Sequence, residues 1–264
     1  MTSPITKSSL PPERISSTPP TPYPAALYAA VHTGQPGDVA FYRRICAGAR
    51  DVLELGCGFG RIARPLGDDG VSVTGVDLDA ALLELGRKRA PRATLLEADF
   101  RTLDLGRTFE RIVCPFNGLY CLTSEADLLQ TLRGVRDHLR PDGLFAFDVY
   151  DADEFHLADD EEDDLPGLVA TCDALGTEWE VFEHSHWDRR KQRIDAVYTH
   201  VPHDDRARVV ASIPQRYLLS SQVESLLAEA GLELLALHRD FDEKPHDVDD
   251  PYLLVGTARR ATDA

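Results

Sequence analysis

No run of the 264-residue sequence approaches the ~20 consecutive apolar residues that span a bilayer, and its first residues lack the apolar stretch of a signal peptide. Basic residues are scarce. Lys and Arg number 28 against 45 Asp and Glu, giving a formal net charge of −17, and no Lys/Arg-rich run offsets it. Such a surface repels phosphate backbones and anionic headgroups, so DNA, RNA and membrane surfaces are poor partners. The five cysteines, Cys46, Cys57, Cys114, Cys121 and Cys172, include no Cys-x-x-Cys pair and no zinc-ligand spacing. No metal site is expected, and an odd count suits reduced thiols in a cytoplasmic setting. What these absences leave is a cytoplasmic globular protein, with a homodimer left open.

What is present sorts along the chain. Residues 1–24 hold seven of the 17 prolines, mixed with Ser and Thr, which predicts a disordered leader. A single domain is expected over 25–264. It would open with two short helices, Ala25 to Val31 and roughly Gly37 to Ala47, forming an N-terminal helical lid over 25–47. From Asp51 strands and helices alternate. Strands are expected at Asp51–Leu55, Val71–Asp77, Ala93–Glu97, from Arg111 to Cys114, and at Leu144–Asp148. Helices are expected from Arg61, from Asp79 to Arg89, and on the Leu128, Leu132, Val135, Leu139 face, stopping before Pro141. That alternation implies an α/β fold with a mostly parallel sheet covered on both faces. The nine acids among residues 151–164 read as a solvated loop. An antiparallel β insertion is expected over 168–217, with one turn at Asp188–Lys191. Ser221-Gln-Val-Glu224 then reads as a capping box opening a helix that Gly231 ends, and two strands follow, at Leu232–Leu237 and Tyr252–Thr257.

The chemistry gathers at the first strand. Gly56-x-Gly58-x-Gly60 turns a strand directly into a helix, letting backbone approach a ligand at the positive end of the helix dipole. Asp77, ending the next strand 21 residues after Gly56, has the spacing of an acid that meets a ribose diol. Together they make a nucleoside-binding edge. A dinucleotide fingerprint needs glycine where Arg61 stands, and Glu54, two residues before the turn, is awkward beside a pyrophosphate. An acid there suits a ligand bearing an amino group and a sulfonium.

Val52-Leu-Glu-Leu-Gly-Cys-Gly-Phe-Gly60 resembles the first motif of the class I, Rossmann-like S-adenosylmethionine-dependent methyltransferases. Val76-Asp77-Leu-Asp79 is similar to their ribose-binding tip, and Glu97-Ala-Asp99-Phe100 to their adenine-holding segment. The likeness runs on through Leu139-Arg-Pro-Asp-Gly143 and Glu229-Ala-Gly231, covering residues 40–150 and 215–258. It implies a seven-stranded sheet of order 3-2-1-4-5-7-6 with the last strand antiparallel, and the insertion between strands 5 and 6. It also implies methyl transfer from S-adenosylmethionine to N, O or C of a compact metabolite, with S-adenosylhomocysteine as product.

Position by position, the resemblance places Gly56 and Gly58 against the methionine moiety, Asp77 on the ribose hydroxyls, and Asp99 and Phe100 at the adenine. It adds Glu54, Cys57, Gly60, Leu78 and Pro115 to the cofactor-binding set. Asp99 also reads as a turn acid, Glu54 as an acid held by backbone amides, and Cys57 as a small residue in the turn. The segment Cys114-Pro-Phe-Asn-Gly-Leu-Tyr120 lacks the Asn/Asp-Pro-Pro-Tyr/Phe signature of enzymes that methylate planar amide or base nitrogens. It looks more like glycine and sugar-amine N-methyltransferases, whose matching Asn, here Asn117, orients substrate. Further candidates for positioning or proton transfer are Tyr120, Tyr28, and the pair His184 and His186, which share one strand face with Phe182. Two rivals remain at this point: an NAD(P)-dependent oxidoreductase, and a cyclase or regulatory module that binds the cofactor without transferring methyl.

Overall fold

The structure is a computed structural model that describes residues 22–157, 166–247 and 252–262. The expected leader, apart from residues 22–24, lies outside the described residues, as do residues 158–164 of the acidic loop.

In chain order, α1 (Ala25–Val31) and α2 (Asp38–Ile45) precede β1 (Asp51–Leu55), α3 (Ala63–Asp68), β2 (Ser72–Asp77), α4 (Ala80–Arg89), β3 (Thr94–Glu97) and β4 (Phe109–Cys114). Then come α5 (Glu125–His138), β5 (Leu139–Tyr150), α6 (Asp153–Leu157), β6 (Gly167–Ala174), β7 (Thr177–Asp188), β8 (Arg193–Pro202), β9 (Val209–Arg216), α7 (Ser220–Glu229), β10 (Leu232–His238) and β11 (Leu253–Arg260). The chain divides into two compact units. One comprises residues 1–33 and 159–215, and the other residues 34–158 and 216–264.

The larger unit holds a seven-stranded sheet of order β3-β2-β1-β4-β5-β11-β10. β1, β2, β3, β4 and β5 pair in parallel, whereas β11 is antiparallel to both β5 and β10. This is the expected order and the expected reversed strand. Val52, Leu53, Glu54 and Leu55 are all buried in β1, as a strand covered on both faces requires. Phe41, Tyr42, Ile62, Leu66, Val73, Leu83, Leu95 and Val113 pack one continuous core around it.

Local boundaries follow from local chemistry. Asp79 accepts the backbone N–H groups of Ala81 at 2.8 Å and Leu82 at 3.0 Å, capping α4 as its position suggests. The helix expected from Arg61 starts two residues later and runs for six residues, with Pro65 and Gly67 inside it. Its dipole is correspondingly short. β5 begins at Leu139, ahead of the expected Leu144, but its register against β4 jumps from Phe109–Leu139 to Arg111–Leu144. The Arg140–Gly143 stretch is thus a bulge, which is where a proline fits in a sheet. The capping box expected at Ser221–Glu224 is not formed. α7 starts two residues earlier, with Leu219 as its N-cap; Gln222 Oε1 accepts the Leu219 N–H at 3.0 Å, and Asp153 accepts the Ser220 N–H at 2.9 Å.

The smaller unit is a four-stranded sheet of order β6-β7-β8-β9, with α1 packed on β6. Its strands are antiparallel where β7 meets β6 and β8, and the turn joining β7 to β8 is Arg189–Lys191, as expected. The two helices read together as a lid therefore fall in different units: α1 here, α2 in the larger one. Inside the smaller unit the Tyr23 hydroxyl bridges His32 Nε2 at 3.2 Å and His200 Nε2 at 2.9 Å, with the Tyr28 and Tyr198 rings around them.

Candidate functional site

Every parallel strand of the larger unit ends at one edge of the sheet, and acids collect there. At the opposite edge the acids are neutralised: Arg140 pairs with Asp51 at 2.8 Å and with Glu110 at 2.7 Å, and Arg50 pairs with Glu110 at 2.6 Å. At the carboxyl edge, Glu54 ends β1 but for Leu55, Asp77 ends β2 and Asp148 lies near the end of β5. Among the described residues none of these three is in a salt bridge within 4 Å. Carboxylates gathered without ion partners at the switch edge of an α/β sheet mark a ligand site rather than a stabilising network.

The turn after β1 makes the floor. Gly58 has φ of 49° and donates its N–H to Asp77 Oδ2 at 2.8 Å, while the Asp79 N–H donates to Oδ1 at 2.8 Å. The turn and the acid, 19 residues apart, are therefore one structure. Gly60, with φ of 77°, passes so close to α4 that an added Cβ would lie 3.0 Å from Ala90 Cβ. A Cβ on Gly56 would lie 3.7 Å from the Phe100 ring, which places that ring beside the turn. Leu78 is 60% exposed next to Asp77, an apolar surface open to a flat ligand. Burial is the main reason the Asp77 carboxyl is pushed above its ordinary range, against the pull of the backbone N–H groups of Asp79 and Gly58.

Glu54 is more extreme. It is 2% exposed, and its Oε2 is buried with no hydrogen-bond partner among the described residues. Burial lifts its carboxyl to about 8, against the opposing charge of Arg61 and a bond from the Ala63 backbone N–H. An acid left half-satisfied in a core is costly unless a ligand completes it.

The loop after β4 forms the third wall. Phe116 and Asn117 both lie in left-handed backbone, at φ of 52° and 60°, a strained conformation for an aromatic residue. Asp148 holds them there. Its Oδ1 accepts the Phe116 N–H at 2.9 Å and the Tyr42 hydroxyl at 2.5 Å, and its carbonyl accepts the Asn117 N–H at 3.0 Å. Asn117 Oδ1 in turn accepts the Tyr150 N–H at 2.8 Å. Burial raises the Asp148 carboxyl to about 6, opposed by the Tyr42 and Phe116 bonds and by Arg61. Arg61 stands among all of these, with Nη1 2.6 Å from Asp38 Oδ2 and its guanidinium 5.3 Å from the centre of the Phe116 ring.

Glu54, Gly56, Gly58, Gly60, Asp77, Leu78 and Phe100 thus share one edge, and the loop that carries Pro115 and Asn117 borders it. The Cys57 side chain turns inward, against Gly75 of β2, and only its backbone faces the turn. Asp99 caps a short 3₁₀ turn at Phe100–Thr102, and both its oxygens bond the Arg101 guanidinium, which holds its carboxyl below the ordinary range. An adenine amino group would have to compete with that pair. Tyr120 is fully buried and donates to the Tyr150 carbonyl at 2.7 Å, so it braces the β5 end and does not present a hydroxyl to a ligand. Tyr28, His184 and His186 belong to the smaller unit, where the two imidazoles meet edge-to-face at 4.4 Å on β7. Asp148, Tyr42 and Asp38 were not singled out from the sequence. The available signal was Asp148 itself, an acid near the tip of a buried strand like Glu54.

Residues 52–143 match the family model described as a methyltransferase domain. The chain is 32% identical over 184 residues to the dTDP-3-amino-3,6-dideoxy-alpha-D-glucopyranose N,N-dimethyltransferase of Streptomyces fradiae, spanning 66% of this chain and 69% of that protein. It is 34% identical over 111 residues to a cypemycin N-terminal methyltransferase of a Streptomyces species, spanning 41% and 45% of the two chains. Among solved structures it resembles the CcbJ methyltransferase of Streptomyces caelestis, with a TM-score of 0.72 and 26% identity over 86% of this chain and 89% of that one. A nicotinamide dehydrogenase is thereby set aside. With its glycine turn, its acid-tipped strands and its reversed closing strand, the chain belongs to the class I S-adenosylmethionine-dependent methyltransferases.

Proposed function

We propose that this enzyme methylates an amine nitrogen of a compact metabolite, with an amino sugar as the leading substrate class. The observation that carries the cofactor half of this reading is the join between Gly58 and Asp77, beside the unpartnered Oε2 of Glu54. These groups fit S-adenosylmethionine. Asp77 and the adjoining turn would hold the ribose, Leu78 and Phe100 would flank the base, and Glu54 would take the amino group of the methionine end. Bound there, the cofactor supplies a methyl group already activated on a sulfonium, so the protein's tasks are alignment and exclusion of water.

Support for a nitrogen acceptor comes from two sides. The two relatives most informative about substrate act on amines by their names, one on an amino sugar and one on a peptide N-terminus. The net charge of −17 also draws a cationic ammonium toward the protein. The ammonium must lose a proton to solvent before its lone pair can attack. Asn117 suits the positioning of the acceptor. Its Oδ1 is committed to the Tyr150 N–H, which fixes the amide and leaves Nδ2 as a donor toward an oxygen of the acceptor.

Incubation with the methyl donor and a panel of nucleotide-linked amino sugars, peptide amines, phenols and carboxylic acids, read by mass spectrometry, tests the proposal. Methylated amino sugars are expected. Products confined to oxygen or carbon acceptors overturn it.

A further inference from the structure

The methionine end of the cofactor is a zwitterion, and this strand edge is crowded with acids. Among the described residues Glu54, Asp77 and Asp148 meet no cation within salt-bridge distance, and Asp38, 3% exposed, adds its charge near Asp148. An incoming carboxylate needs a positive partner here, or repulsion in a partly desolvated site cancels the binding. The turn can lend backbone N–H groups, but α3 is too short to lend a useful dipole.

We infer that Arg61 is that partner: its guanidinium receives the α-carboxylate of the methionine end, next to the ammonium-binding Glu54. This rests on the adenosyl reading above and deepens it.

Three observations carry the assignment. First, Arg61 is placed where the ligand would end. Its charge acts on both Glu54 of β1 and Asp148 of β5, and its guanidinium lies over the Phe116 ring of the β4 loop. Second, it has donors to give. A guanidinium carries five N–H groups, and among the described residues only Nη1 is committed, to Asp38 Oδ2. The side chain keeps 15% exposure, and none of its other nitrogens is sealed from solvent. Third, it is held in place without being used up. Asp38 has partners of its own, the N–H groups of Gln35 at 3.0 Å and Val39 at 2.5 Å. Gly34 leaves the room: a Cβ there would fall 2.2 Å from Arg61 Nη1. The side chain is thus oriented by one fork tip while the rest of the fork stays available, the arrangement that suits a carboxylate. The bland alternative is that Arg61 merely neutralises buried acids. It makes a different prediction about ligands.

The test compares S-adenosylhomocysteine with 5′-methylthioadenosine, which keeps the adenosyl group and the sulfur but has no amino-acid end. Calorimetric titration of the full chain is done with R61M and with R61M/D38N, where the second change spares Asp38 from being left buried and unpaired. The assignment expects a loss of about 10- to 100-fold for S-adenosylhomocysteine and a change within about twofold for 5′-methylthioadenosine. Equal changes for both ligands, or none for either, overturn it. A second comparison needs no variant: the unaltered chain should bind the α-carboxamide of S-adenosylhomocysteine about 10-fold or more weakly than the acid. Equal binding overturns the assignment as well. If neither adenosyl ligand binds the unaltered chain, the adenosyl site itself falls, and this assignment with it.

Discussion

The Tyr42 hydroxyl donates to Asp148 Oδ1 at 2.5 Å, joining α2 to the tip of β5 across 106 residues of sequence. Both residues are buried, and the same oxygen pins the left-handed Phe116. Removing the hydroxyl leaves a buried carboxylate with one partner fewer. Tyr42→Phe is expected to cost about 1–3 kcal/mol in urea unfolding and to raise KM for the acceptor through a looser Phe116–Asn117 loop. Unchanged stability together with unchanged KM would contradict the bracing role.

Asp77 ties the Gly58 turn to β2 and would hold the ligand's ribose. Asp77→Ala removes both roles, and affinity for S-adenosylhomocysteine should fall about 100-fold by titration calorimetry. Affinity within about threefold of the parent chain is incompatible with a ribose contact.

Glu54 sets up an opposition between stability and binding. Its folded-state pKa, about 8, lies above the ordinary 4.5. The folded protein therefore holds a proton that the unfolded chain gives up, and folding stability is lost as pH rises from about 5 to 8. Glu54→Gln should gain on the parent chain over that window in thermal melts, yet bind S-adenosylhomocysteine less well. An ammonium docking at Glu54 should also expel the proton. Binding heats near pH 7 are expected to vary with the buffer's ionisation enthalpy, and a buffer-independent heat would remove Glu54 from the ammonium site.

The Tyr23 cluster of the smaller unit should respond to acid. Burial lowers His32 and His200 to about 4, from 6.5. The folded state keeps them neutral where the unfolded chain binds protons. Their contribution is complete above about pH 6.5, and it is lost as pH falls toward 4. Protection factors for hydrogen exchange in β8, taken relative to the unstructured amide at each pH, should fall between pH 7 and pH 5. Protection factors that are flat across that range would show the imidazoles titrating normally.

Gly60→Ala tests the tight passage beside Ala90. A left-handed backbone and a 3.0 Å approach both oppose the methyl group. A loss of about 1–3 kcal/mol is expected in chemical denaturation, and no loss would mean that the turn can relax.

Much of this architecture was legible in the sequence because its signals are local. Buried strands write continuous apolar runs, as at Val52–Leu55. A capping acid such as Asp79 acts two and three residues away. The strand order came with the family resemblance. What escaped depends on distance or on competition. The bond between Tyr42 and Asp148 leaves no trace in spacing. Arg61 reads as a mere departure from a dinucleotide fingerprint until the fold sets Glu54, Asp38 and Phe116 around it. Tyr120 lies in a short 3₁₀ turn, Gly118–Cys121, and only packing shows its hydroxyl spent on the Tyr150 carbonyl. At α7 the Ser221 and Glu224 pattern lost to Asp153, which reaches Ser220 from another segment.

The placement of β11 carries a consequence for biosynthesis. It lies between β5 and β10, and it is made after both. Until Leu253–Arg260 has left the ribosome, β5 stands as a raw edge bearing Phe145, Phe147 and Val149, all of them buried in the finished protein. The nascent chain thus carries an adhesive border from the completion of β5 at Tyr150 until β11 begins at Leu253, a hazard for pairing with other chains. Growth at high expression rates should accordingly favour inclusion bodies, and a chaperone that shields β5 should be worth more to this protein than one that acts on its first half.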